Sequence, residues 1–150
     1  MESITEKNTA TFTHLSALTQ YCIPLGNYIF PILIWTSKKD KSEFVDYNGK
    51  QVLNFQLSLL LYSLILIGIA IPIFFSIAFQ NISFDAIDHD ELIFNNFISG
   101  EHIEMVTAGI IAVLLFICLK IAEFFLIIYA AIKTSNGELF KYPLSIPFIK

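Results

Sequence analysis

Arginine is absent from the chain, and its nine basic residues are all lysine. The guanidinium fork is the usual reader of phosphates and base edges. Its absence, with a net charge of −4 and no basic stripe, argues against a nucleic-acid partner. Cysteine is scarce as well. Cys22 and Cys118 lie inside hydrophobic segments and fit no metal or redox spacing, so they read as small core residues and no disulfide is expected. No nucleophile stands beside a base, no glycine motif would cradle a phosphate, and the acidic run "DHDE" at 88–91 matches neither a calcium loop nor a zinc spacing. No catalytic, cofactor-binding or metal-ligating residue is therefore assigned, and an enzyme is not expected. The N-terminus "MESITEKNTATFTH" is polar, and no small-residue cleavage site follows the first apolar run, so a cleaved signal peptide is not expected either.

What the chain holds in excess is apolar surface. Hydrophobic residues make up 55% of it and its mean hydropathy is +0.67, values beyond those of an ordinary soluble domain. Long runs nearly free of charge belong in a bilayer. The fold class that follows is an all-α integral membrane protein, a single membrane domain over residues 1–150. Residues 48–79 and 105–134 are each expected to span, since a crossing needs about 20 residues at a 1.5 Å rise. The first apolar region, "HLSALTQYCIPLGNYIFPILIW", is about one span long but is interrupted by Pro24, Gly26 and Asn27. Two readings follow: a re-entrant or short helical hairpin over 12–37, or three spans with a broken first helix. A backbone break at membrane depth is tolerated only against protein or water.

Lysines orient the rest. Lys38, Lys39, Lys41 and Lys50 surround the 38–47 loop, and Lys133, Lys141 and Lys150 mark the 135–150 tail, whereas the 80–104 loop has none. The positive-inside rule makes the first loop and the C-terminus cytoplasmic and the acidic 80–104 loop external.

"HLSAL" with "IPLGNYIFPILIW", then "KKDKSEFVDYNGKQVLNFQLS", then "AAIKTSNGELFKYPLSIPFIK" resemble a widespread family of small bacterial membrane proteins. That family is similar to the roughly twenty-kilodalton membrane subunit of the protein translocon in the chloroplast inner envelope. The resemblance covers residues 14–58 and 130–150, and the intervening helices match by hydropathy only. It implies a helical membrane fold with cytoplasmic N- and C-termini, which favours the hairpin, and a place in the bacterial cytoplasmic (inner) membrane. It brings no catalytic residue with it. Phe140, Lys141 and Pro147 depart from the family's pattern, and Lys120 and Glu123 lie outside it.

Polar residues placed against this apolar background are the candidate sites. Gln51, Asn54, Ser58 and Tyr62 recur at three, four and four, which puts them on one face of the second apolar helix, with Asp46 able to cap its start. In lipid such a seam must face the hairpin or the third helix. Lys120 and Glu123, in "CLKIAEFF", lie about 18 and 13 Å from the cytoplasmic end of their span. Ionisable groups at that depth face protein or a wet cavity. The readings are a local pair at three-residue spacing, a docking point for another membrane subunit, or an ion path. Asn136 and Gly137 end the helix, and "FKYPLSIPF" should run extended. Phe140, Tyr142 and Phe148 are expected to anchor it at the headgroup level with lysines on anionic lipid. His14 reads as a satisfied polar contact. The expected partners are membrane lipid and other integral membrane proteins. The expected role is a non-enzymatic accessory subunit of a larger membrane complex connected with protein translocation or envelope assembly. The alternative is a small oligomeric channel or transporter using Lys120 and Glu123.

Overall fold

The computed structural model describes residues 2–80 and 103–150, with side chains at 2–75, 103 and 106–150. The acidic 80–104 loop, but for its ends, lies outside the described residues. Every described element is helical: α1 (Ile4–Ser16), a 3-10 turn (Ala17–Tyr21), α2 (Gly26–Lys38), a short 3-10 turn (Lys39–Lys41), α3 (Glu43–Gln80) and α4 (Ile103–Ser135). Two helices are long and apolar enough to cross a membrane, over Glu43–Phe75 and Val106–Ser135. α1 and α2 have 13 residues each. At about 20 Å each falls short of a hydrocarbon core of about 30 Å, so the first apolar region folds as a helical hairpin whose two helices are each too short to cross alone.

The described chain divides into two compact units, Met1–Leu61 with Leu119–Lys150, and Tyr62–Cys118. The second consists of the later turns of α3 and the first half of α4. Its described surface is almost wholly apolar, as lipid contact requires. A groove of about 560 Å³ runs along it between Ala70, Ile73 and Phe74 on one side and Gly109 and Val113 on the other.

The first unit is built by local signals that then pack. Ser3 and Glu6 form a reciprocal capping box: Glu6 N–H donates to Ser3 Oγ at 3.2 Å and Ser3 N–H to Glu6 Oε2 at 2.8 Å. That box starts α1 at Ile4, eight residues before the apolar run begins, so the polar N-terminus is helix rather than tail. The hairpin turns at Cys22–Leu25. Leu25 takes a left-handed backbone (φ 62°), and a Cβ on Gly26 would stand 2.9 Å from the Thr19 carbonyl oxygen, which reserves that position for glycine. Three N–H groups at the turn bond locally: Cys22 and Ile23 donate to the Thr19 carbonyl and Gly26 to that of Ile23. Its side chains Tyr21, Ile23 and Leu25 are exposed and apolar. Such a tip suits hydrocarbon.

Ser42 rather than Asp46 caps α3, accepting from Val45 N–H at 3.3 Å, so the helix begins five residues earlier than the hydropathy suggests. Asp46 is occupied instead by Trp35 Nε1–H at 2.8 Å and Lys50 Nζ at 2.6 Å. Trp35 lies so close over Gly49 that any side chain there would overlap the indole. α2 thus packs directly on the α3 backbone. From Phe44 to Leu59 no residue of α3 is exposed, whereas Leu60, Leu61, Leu64 and Ile65 are. The polar start of α3 is tolerated because protein, not lipid, surrounds it. The core below comprises Val45, Val52, Leu53, Phe55 and Leu59 of α3 with Ile127, Ala130 and Ala131 of α4.

Candidate functional site

At one end of the first unit four elements meet on a single histidine. His14, in the last turn of α1, is fully buried, with Nδ1 2.9 Å from Tyr142 Oη and Nε2 3.1 Å from Asn48 Oδ1. Asn48 Nδ2 donates to the Phe44 carbonyl at 2.9 Å, which turns Oδ1 towards His14, and Thr134 Oγ1 of α4 donates to the same Oδ1 at 3.2 Å. An amide oxygen only accepts. Nε2 therefore carries the imidazole hydrogen, Nδ1 accepts, and the Tyr142 hydroxyl donates to it. The Tyr142 ring stacks on Phe55 at 4.1 Å and receives Phe140 edge-on at 5.0 Å. The clamp joins α1, α3, α4 and the tail through one neutral side chain.

Burial pushes the His14 imidazole down to about 4, against a smaller opposing effect from the Asn48 bond. It pushes the Tyr142 phenol well above its ordinary value, helped by the Glu123 charge. For a group depressed on folding, stability is complete above the unfolded value of about 6.5 and is lost as pH falls from there towards 4. The loss from this one group approaches about 3 kcal/mol at its limit, an order-of-magnitude figure at about 1.4 kcal/mol per pH unit. Thermal melts in mild detergent should therefore fall between pH 6.5 and 4 in the natural chain and fall less in His14→Gln. Parallel curves for the two would contradict the assignment of His14 as the buried neutral group.

A second constellation lies deeper. Glu123 is buried, its Oε2 2.9 Å from Lys120 Nζ and its Oε1 2.7 Å from Gln20 Nε2. Lys120 and Glu123 thus pair with each other, and the hairpin supplies a third member. Thr134 and Glu123 lie eleven residues apart on α4, about 16 Å at 1.5 Å per residue. α1 meets α4's network through Asn48 at Thr134 and the following 3-10 turn meets it at Glu123, so the hairpin lies along α4 for about that distance. Next to it Asn27 Nδ2 donates to Gln56 Oε1 at 2.7 Å and Tyr28 Oη to the Gln56 carbonyl at 3.2 Å, which ties the break residue Asn27 to α3. Pro24 remains exposed at the tip.

The seam expected on α3 divides. Asn54 and Ser58 face the tail rather than the hairpin or α4. Asn54 Oδ1 accepts from Ile149 N–H at 2.7 Å while its Nδ2 donates to the Ile149 carbonyl at 3.0 Å, and Ser58 Oγ accepts from Ile146 N–H at 2.8 Å. An extended strap with no neighbouring strand needs side-chain partners for its backbone, and an amide can both donate and accept. Gln51 is half-buried at the edge, and Tyr62 lies in the other unit. The tail does run extended after Ser135, with Gly137 at φ +85°. Tyr142, however, turns into the bundle to meet His14 and is 2% exposed, so it does not serve as a headgroup anchor; Phe140 is half-buried beside it and Phe148 is exposed. Cys22 and Cys118 are exposed rather than core, the first in the hairpin turn and the second on α4.

Sequence reasoning passes over Asn48, Gln56, Thr134 and Gln20. The first two are eight residues apart, hence on one face of α3, and that spacing was the available signal. Gln20 and Glu123 are 103 positions apart and only packing brings them together.

With this geometry in place, the chain can be set beside known proteins. A sequence model of the magnetosome magnetite crystal formation proteins matches residues 5–149. The chain belongs to that family. The matched range takes in all of α1 after its first residue, both spanning helices and the tail as far as Ile149. Membership makes it a small bacterial membrane-protein family member, as the sequence resemblance implies, and it lends nothing to the likeness with the chloroplast translocon subunit. No curated protein and no solved structure matches the chain.

Proposed function

We propose that the protein is a non-enzymatic accessory subunit that assembles with other integral membrane proteins in a larger complex. The observation that supports this most is how its polar side chains are used. His14, Asn48, Thr134, Tyr142, Asn54 and Ser58 hold the hairpin, the helices and the tail to one another. The side chain best suited to acid–base chemistry, His14, has both nitrogens engaged in that packing. A rigid polar platform on two long apolar helices suits a part that holds or positions others. The family's description supports a setting for the role: a bacterial membrane at which magnetite crystals form. A link with protein translocation or envelope assembly draws only on the resemblance of residues 14–58 and 130–150. The C-terminus is read as cytoplasmic, with the enzyme and nucleic-acid classes set aside on the residues given above.

Extraction in a gentle detergent followed by mass spectrometry of co-purifying proteins tests the reading. The expected outcome is a stable complex larger than the single chain, with a defined membrane partner. A chain that emerges alone and monomeric would defeat it. Ion flux through liposomes containing only this protein, abolished in Lys120→Leu/Glu123→Leu, would instead establish the channel alternative.

A further inference from the structure

The polar end of the first unit contains a smaller cavity, about 230 Å³, where the start of α1 meets the turn between α2 and α3. Thr5, Glu6 and Thr9 line it from α1, and Lys38, Lys41 and Ser42 from the turn. Its charges are unequally committed. Glu6 belongs to the α1 capping box, and hydrogen bonds from the Ser3 side chain and backbone hold its carboxyl below the usual range, so it is ionised and occupied. The ion pairs among the described residues use Lys50, Lys120 and Lys133, and Lys39 lies over the Trp35 ring at 5.1 Å. Lys38 and Lys41 enter none of these pairs. Asp40 and Glu43, beside these lysines in sequence, do not line the cavity, and Asp46 of α3 is taken by Lys50 and Trp35. Two ammonium groups against one engaged carboxylate leave its lining cationic. Thr9 gives its hydroxyl hydrogen to the Thr5 carbonyl, whereas the Thr5 hydroxyl is not used in the same way.

The surroundings identify the anion. The cavity lies where α3 begins its span. On α1 the exposed Phe12 stands three residues beyond Thr9, hence on the same helix face. A cationic recess with an exposed aromatic beyond it has the two-part character of a phospholipid: phosphate at the head, acyl chain alongside. We propose that this cavity is a binding site for the phosphate of an anionic phospholipid, with Lys38 and Lys41 as its ammonium contacts and Thr5 as a hydroxyl donor.

The test uses the full chain in mild detergent, with native mass spectrometry of retained lipid after addition of phosphatidylglycerol or phosphatidylcholine. Both carry a phosphate, but choline cancels the charge in the second. Juxtamembrane lysines contribute about a fivefold preference each for anionic lipid. The natural chain should therefore retain phosphatidylglycerol over phosphatidylcholine by at least about tenfold. Lys38→Gln/Lys41→Gln should lose that preference with helical content unchanged, and Lys38→Arg/Lys41→Arg should keep it. Lys141→Gln/Lys150→Gln, in the tail, should leave it intact. An equal loss in the tail variant would overturn the site in favour of diffuse charge. Displacement of the lipid by millimolar inorganic phosphate would overturn the lipid as its occupant. No preference in the natural chain would overturn the proposal outright.

Discussion

Tyr142→Ala is expected to destabilise the protein more than any other single change in the tail. The ring is 2% exposed, stacked on Phe55 at 4.1 Å and met edge-on by Phe140. Removing a buried aromatic of this kind costs about 3–5 kcal/mol through lost contacts and the cavity left behind. The hydroxyl adds to the effect, because without it His14 Nδ1 is a buried acceptor with its donor gone, a loss of about 1–3 kcal/mol. Tyr142→Phe separates the two contributions: it keeps the stack and removes only the hydroxyl. Melting temperatures in mild detergent should rank the natural chain above Tyr142→Phe, and that variant well above Tyr142→Ala. The tail should also become sensitive to protease in Tyr142→Ala, since Ile146 and Ile149 are then held by Ser58 and Asn54 alone. Equal melting of the two variants would mean that the ring packs against nothing of consequence.

Lys120→Leu carries the second large effect. It removes the cation 2.9 Å from a carboxylate whose side chain is fully enclosed, leaving Glu123 with the Gln20 amide. Breaking a buried pair from one side costs about 3–5 kcal/mol, because the remaining charge is neither hydrated nor compensated. Lys120 lies within a helix long and apolar enough to span, so its partial exposure is not expected to hydrate Glu123 in its place. Lys120→Leu/Glu123→Leu removes both charges and should be markedly more stable than Lys120→Leu. A double-mutant cycle reads the coupling directly. Additive losses would show that the two side chains act independently, and the reading of them as a local pair would fall.

Much of the architecture is legible in the sequence because the bilayer imposes few solutions. Charge-free runs long enough to cross can only be helices, and α3 and α4 follow from hydropathy alone. The hairpin is legible from Pro24 and Gly26, though its true start is not. α1 begins at a Ser-x-x-Glu signal inside a stretch that looks like a soluble tail, and its helicity depends on packing Ala10 and His14 against α3. The partners of the polar residues are least legible. The periodicity places Asn54 and Ser58 correctly on one face, but nothing local says that an extended strap 90 positions later will lie on it. The same holds for His14 and Tyr142, each reasonable as a surface group and buried only because the other is present. Aromatics beside lysines suit a headgroup anchor equally well, and only the stack on Phe55 distinguishes the two.

Joined through His14 and Tyr142, the N-terminal helix and the C-terminal tail must share one side of the membrane if the hairpin is re-entrant. Impermeant maleimide labelling tests this, with Thr5→Cys and Leu139→Cys introduced one at a time into a Cys22→Ser/Cys118→Ser background. Both positions are expected to be protected in intact cells and to react once the membrane is opened. Position 5 labelled from outside while position 139 stays protected would place the two ends on opposite sides and contradict the hairpin.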